Sequence, residues 1–146
     1  MKFRFPIVII DEDYRSENTS GLGIRALAKA IEDEGFEVVG VTSYGDLSQF
    51  AQQQSRASAF ILSIDDEEFV ASGPELDPAA VLNLRKFIEE VRRKNEDVPI
   101  YLHGETKTSQ HLPNDILREL HGFIHLFEDT PEFVAKHIIR EANSYM

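Results

Sequence analysis

Ile7-Val8-Ile9-Ile10-Asp11-Glu12-Asp13 decides how this chain of 146 residues folds. Four β-branched residues in a row read as a strand buried on both faces, as in a parallel sheet. Three carboxylates follow at once and place negative charge at the strand's C-terminal end. In open α/β sheets that end is where ligands bind. Clustered carboxylates there can hold a divalent cation, so Asp11 and Glu12 are the candidate metal ligands.

Working outward, strand-like and helix-like segments alternate. The first helix spans about 21–34, with Ile24, Leu27, Ala28 and Ile31 on one face and Gly35 as its C-cap. A Ser20 N-cap is expected to open it. Strand 2 covers 37–42. A short helix over 46–54 buries Leu47, Phe50 and Ala51, and strand 3 covers 59–64. Asp77-Pro78 starts a helix that carries Val81, Leu84, Ile88 and Val91 to about Lys94. Strand 4 is 100–103, a short helix covers 114–121, strand 5 is 123–127, and Thr130-Pro131-Glu132 opens the last helix. The pattern is (βα)₅, an α/β flavodoxin-like three-layer sandwich with a parallel sheet in the order 2-1-3-4-5.

The chain is long enough for one domain with a core, spanning 1–146. Hydrophobic residues make up 42%, which places it among globular proteins. A net charge of −11 argues against nucleic acid and against anionic membrane surfaces. No cysteine is present, which excludes disulfides, thiol nucleophiles and thiolate metal sites. No apolar stretch is long enough to span a bilayer, and a cytoplasmic location is the default expectation. Tyr145-Met146 ends the last helix with no Gly or Pro stop, so a segment cut from a longer protein is expected.

The (βα)₅ layout resembles receiver domains over the whole chain. Their phosphoryl chemistry needs an acidic pair after strand 1, an acceptor Asp ending strand 3, a Thr or Ser ending strand 4 and a Lys ending strand 5. Carboxylates hold Mg²⁺, the Asp is the nucleophile, and the Lys stabilises charge on the transferred group. Here Asp11-Glu12 supplies the pair, Ser63 takes the acceptor position, Gly104 the Thr position, and Glu128-Asp129 stands where the Lys should be. A carboxylate in place of an ammonium opposes phosphoryl transfer, so the triplet reads as a solvated acidic surface of receiver ancestry.

Other motifs carry less. Gly21-Leu22-Gly23-Ile24-Arg25-Ala26 matches G-x-G-x-x-A, but ten residues separate it from strand 1, and the acidic triplet would repel a pyrophosphate. The five histidines are scattered, and His121 and His125 are separated by Gly122. His103 reads as a strand-end ring and His125 as an inward or cross-strand ring. Arg92-Arg93-Lys94 suits the C-terminal dipole of its helix. Arg118 is either a solvated charge or an interface or anion-binding arginine.

Gly104-Glu105-Thr106, the run Leu112-Pro113-Asn114-Asp115-Ile116-Leu117-Arg118-Glu119-Leu120, and the run from Gly122 to Glu128-Asp129-Thr130-Pro131-Glu132-Phe133 carry a second resemblance. With Ile9-Ile10-Asp11-Glu12 and Phe60-Ile61-Leu62, they resemble the N-terminal domain of bacterial ornithine/lysine/arginine decarboxylases. The resemblance implies a receiver-like wing without catalytic residues or cofactor of its own. It implies a downstream catalytic domain holding pyridoxal phosphate on the lysine of a Ser-x-His-Lys motif, which does not occur here. It implies packing against that domain and against neighbouring subunits, with dimers joined into decamers in inducible members. In acid-stress members the carboxylate-rich wings would repel one another near neutrality and lose that repulsion on protonation. Some lysine-specific members bind ppGpp between subunits, a role in which Arg118 is the candidate.

Overall fold

A computed structural model describes residues 5–11, 13–42, 57–63, 78–94, 97–103, 112–124 and 130–145. The elements are β1 (Ile7–Ile10), α1 (Thr19–Asp33), β2 (Val38–Val41), β3 (Ala59–Ser63), α2 (Pro78–Lys94), β4 (Ile100–His103), α3 (Asn114–Leu117), β5 (Gly122–Ile124) and α4 (Pro131–Tyr145). The strands are parallel and ordered β2-β1-β3-β4-β5, the order the sequence predicts. The expected helix over 46–54, the Asp77 cap, Glu12, Gly104, His125 and Glu128-Asp129 lie outside the described residues.

Side-chain alternation along the strands feeds two cores, one on each face. Ile7, Ile9, Ala59, Ile61, Tyr101 and Ile124 face α1 and α4, which lie side by side. Val8, Ile10, Phe60, Leu62, Ile100 and Leu102 face α2 and α3. Each fully buried aliphatic side chain contributes ~1.5–3 kcal/mol, so the three inner strands anchor the domain. The helices follow the expected stripes. Ile24, Leu27, Ala28 and Ile31 of α1 are buried, as are Leu84, Ile88 and Val91 of α2 and Val134, Ile138 and Ala142 of α4.

Helix boundaries differ where side chains compete for backbone donors. α1 begins at Thr19 because Asn18, rather than the expected Ser20, is the cap: its side-chain oxygen accepts from the Gly21 N–H at 2.8 Å. Gly35 closes that helix with φ of 96°, the left-handed conformation that glycine adopts without strain. α3 is shorter than the expected 114–121 and ends at Leu117, with a turn through Arg118 and Glu119. At the start of α4, Thr130 Oγ1 accepts from the Phe133 N–H at 3.2 Å.

Candidate functional site

Strand register brings three polar side chains to the C-terminal edge of the sheet. Ile10 lies opposite Leu62, and Ser63 lies opposite His103. Asp11, one residue past Ile10, therefore falls in a row with Ser63 and His103. The alternation that sends Ile9, Ile61 and Tyr101 toward α1 and α4 gives all three row members the same facing. β1 and β4 flank β3, so their chains run about 9–10 Å apart. The small side chain of Ser63 lets Asp11 and His103 meet across that gap.

Asp11 is 3% exposed and His103 is 8% exposed. Asp11 Oδ2 and His103 Nε2 face each other at 3.0 Å. Neither atom has a hydrogen bond in line with it, and both are shut off from solvent. A buried polar atom left in that condition costs ~1–3 kcal/mol. Asp11 thus departs from the solvated acidic surface that the sequence suggests: the strand end carries it inside. Among the described residues no group of three His, Cys, Asp or Glu side chains converges to hold a metal.

The loop between β1 and α1 is built around Asp11. Its Oδ1 accepts from the Asp13 N–H at 2.8 Å, and its own N–H donates to the Val41 carbonyl at 3.0 Å. Asp13 Oδ1 accepts from Asn18 Nδ2 at 3.1 Å and from the Ser16 hydroxyl at 3.4 Å. Arg25 reaches back from α1 and donates to the Tyr14 and Ser16 carbonyls, each at 2.7 Å. Tyr14 packs against Gly40 of β2, where a Cβ would overlap its ring. Burial of the Tyr14 phenol raises its pKa, and the charge of Glu32 adds to that effect.

These contacts do not suit Mg²⁺ and phosphoryl transfer. Mg²⁺ takes an octahedron of oxygens. Asp11 has committed one oxygen and Asp13 one of its own to the loop, and the row continues with the Ser63 hydroxyl and the His103 imidazole. The acceptor position holds Ser63, a buried hydroxyl with no carboxylate.

A second feature is a groove of about 880 Å³ between α2 and α3, lined by Arg85, Arg92, Arg93, Asp97, Asp115 and Glu119 among others. Arg85 pairs with Asp115 and Arg92 with Glu119, each at 2.7 Å. Arg92 therefore serves tertiary structure rather than the helix dipole. The acids offset the arginines, so the groove is not a cationic site. Arg118 lies outside it, with an exposed side chain. The pairing of Asp11 with His103 escaped the sequence reading. Its signal was present, since both residues end apolar strands on the same alternation as Ile9 and Tyr101.

A five-stranded parallel sheet in this order, with a buried row at its C-terminal edge, defines a receiver-like α/β domain. A response regulator receiver domain protein from Clostridium thermocellum shares the fold with a TM-score of 0.63 and 12% identity, over 96% of this chain and 95% of that one. The chain belongs to the Orn/Lys/Arg decarboxylase N-terminal domain family, whose model matches residues 19–145. It is 24% identical over 146 residues to lysine decarboxylase LdcA of Pseudomonas aeruginosa, covering 98% of this chain and 18% of the relative. It is 21% identical over 141 residues to the biodegradative arginine decarboxylase of Escherichia coli K12, covering 95% and 18%. A solved lysine decarboxylase A from Pseudomonas aeruginosa superposes with a TM-score of 0.80 at 22% identity, over 99% of this chain and 19% of that one. The chain thus spans about a fifth of the length of these relatives.

Proposed function

We propose that this chain is the non-catalytic assembly and regulatory domain at the N-terminus of a pyridoxal-phosphate-dependent decarboxylase of ornithine, lysine or arginine. The observation that carries this reading is the family match over 19–145 in a chain that covers 18% of its relatives. Residues 1–146 then form one domain. Its partners are the downstream catalytic domain, which holds the pyridoxal phosphate, and neighbouring cytoplasmic subunits of a homo-oligomer. The exposed side chains of Arg118, Phe133 and Leu22 are available for such contacts. The −11 charge supports an acid-promoted assembly, in which protonation relieves repulsion between domains.

Sedimentation of the longer protein with and without residues 1–146, across pH, tests the proposal. The expected result is that removal abolishes higher-order assembly while decarboxylation by the remaining part persists. Unchanged assembly without the domain would sink the reading, and assembly that ignores pH would remove its charge-repulsion component. A free-standing pseudo-receiver that binds a partner through its β4–β5 face is the second reading. It is supported by the 95% coverage of a whole receiver chain. A stop codon directly after Met146 favours it. A continuing frame with Ser-x-His-Lys favours the decarboxylase.

A further inference from the structure

Four carboxylates and three arginines line the groove of about 880 Å³ between α2 and α3. Two of the arginines are already engaged. Arg85 pairs with Asp115 and Arg92 with Glu119, and these contacts tie the helices together across the groove. The fork of Arg92 also holds the Val98 and Glu119 carbonyls, which fixes the groove's width at that end. Three charged side chains of the lining are left over: Glu89, Arg93 and Asp97. Among the described residues they form no ion pair, with one another or with a neighbour. All three are exposed. Ile88 and Ile116 supply the apolar part of the lining.

We propose that the groove is a binding subsite for a free basic α-amino acid, such as lysine or ornithine. The leftover charges select that class. A simple anion would meet Arg93 but also two carboxylates. A diamine would meet the carboxylates but also a guanidinium. A basic α-amino acid carries one carboxylate and two cationic groups, the inverse of one arginine and two acids. Arg93 takes the α-carboxylate, which its planar fork suits. Asp97, just past the end of α2, takes the α-ammonium. Glu89 takes the side-chain cation. Glu89 and Arg93 stand one turn apart on α2, ~6 Å along its axis, which is the reach of a chain of three or four methylenes. Such methylene stems lie readily on apolar surface, here Ile88 and Ile116. The groove is larger than the ligand, so water fills the remainder. The three contacts are solvent-screened, so the affinity is millimolar. A role for the subsite in sensing the parent's own substrate rests on the decarboxylase reading, whereas the charge complement does not.

The test uses the 146-residue chain, with L-lysine as the probe. NMR titration is expected to move the amide resonances of 85–93 and 115–119 saturably, with a millimolar midpoint. L-norleucine lacks the side-chain ammonium and 1,5-diaminopentane lacks the carboxylate. Each should bind about 5-fold more weakly than lysine. Glu89→Gln, Arg93→Gln and Asp97→Asn change exposed side chains that the fold does not depend on, and each should weaken lysine binding about 3- to 10-fold. Lys29→Gln, on the exposed side of α1, should leave it unchanged. The proposal is overturned by shifts that sodium chloride reproduces at equal ionic strength or that never saturate. It is overturned equally by norleucine or diaminopentane binding as well as lysine, or by lysine binding that survives all three groove substitutions. None of these outcomes touches sedimentation of the longer protein, so the subsite can fail while the assembly reading stands, and the reverse.

Discussion

Arg92 holds Glu119 twice. Its Nε donates to the Glu119 carboxylate at 2.7 Å, and one terminal nitrogen donates to the Glu119 carbonyl at 2.8 Å. The other terminal nitrogen donates to the Val98 carbonyl at 2.8 Å. One planar fork thus joins the end of α2 to the entry of β4 and to the turn after α3. Lysine has a single ammonium and cannot span three acceptors. Arg92→Lys should lower unfolding free energy by ~2 kcal/mol, because carbonyls in a partly buried setting lose their donors. Urea denaturation reads this directly, and a variant that unfolds with wild type would show the fork to be dispensable.

The pair formed by Arg85 and Asp115 sits in the same groove but behaves differently. Its side chains are 35% and 55% exposed. The Arg85 hydrogen bond is the main cause that holds the Asp115 carboxyl below its ordinary pKa. A carboxyl lowered in the folded state adds stability above its unfolded pKa and loses it as pH falls through the folded value. Solvent screening keeps that contribution small. NMR titration should find Asp115 ionising below the ordinary value near 4, and Arg85→Gln should return it toward that value. The thermal midpoint at neutral pH should barely move. A large fall in that midpoint would contradict the screened reading.

Gly40 is required by Tyr14 rather than by a turn. Gly40→Ala should cost ~1–3 kcal/mol, since the new methyl displaces an aromatic ring pinned by the loop that Arg25 braces. The loss should shrink in a Tyr14→Ala background, where the ring is gone. Additive effects of the two substitutions would show that the methyl clashes with something else.

Receiver chemistry should be absent in solution. With Ser63 in the acceptor position and Asp11 turned toward His103, no carboxylate among the described residues is placed to accept a phosphoryl group. Incubation with acetyl phosphate and Mg²⁺ should leave the intact mass unchanged. A stable adduct of one phosphoryl group would show that another carboxylate takes over the role.

How much of this was legible depends on how local the determining interaction is. β1, β3 and β4 are continuous apolar runs, so their existence, parallel pairing and order follow from burial and connection rules. The stripes of α1, α2 and α4 are likewise periodic. The cap differs from the expected one because Ser20 and Asn18 are equally good caps by residue type, and the choice falls to the loop, in which Asn18 also reaches Asp13. The helix after β4 is shorter than expected because the Glu119 and Leu120 N–H groups turn to carbonyls three residues back and the His121 N–H is drawn to the Ile100 carbonyl of β4. Asp11 and His103 are 92 positions apart in the chain. Local alternation gives both the same facing at their strand ends, but their contact also needs the register of two ladders, which is set between strands.

Tyr101 carries a hydroxyl the fold does not use. The residue is 1% exposed, and its oxygen is buried with no hydrogen-bond partner. The rings of His121 and His137 lie near its own, with centroids 6.3 and 6.2 Å away. Burial pushes the phenol well above its ordinary pKa, and the charge of Glu141 adds to the shift. A phenol raised in the folded state contributes stability that is complete below its unfolded pKa, near 10, and is lost as pH rises toward the folded value. Tyr101→Phe removes the unsatisfied hydroxyl and keeps the ring. It should raise stability at neutral pH by ~1 kcal/mol, because deleting an unpaired buried polar group relieves its desolvation cost. It should also flatten the decline in stability above about pH 10, leaving the smaller share contributed by Tyr14. Denaturant unfolding of both proteins at neutral and alkaline pH measures the two effects together. A destabilised Tyr101→Phe at neutral pH would mean that the hydroxyl has a partner, and an unchanged alkaline limb would place the titrating group elsewhere.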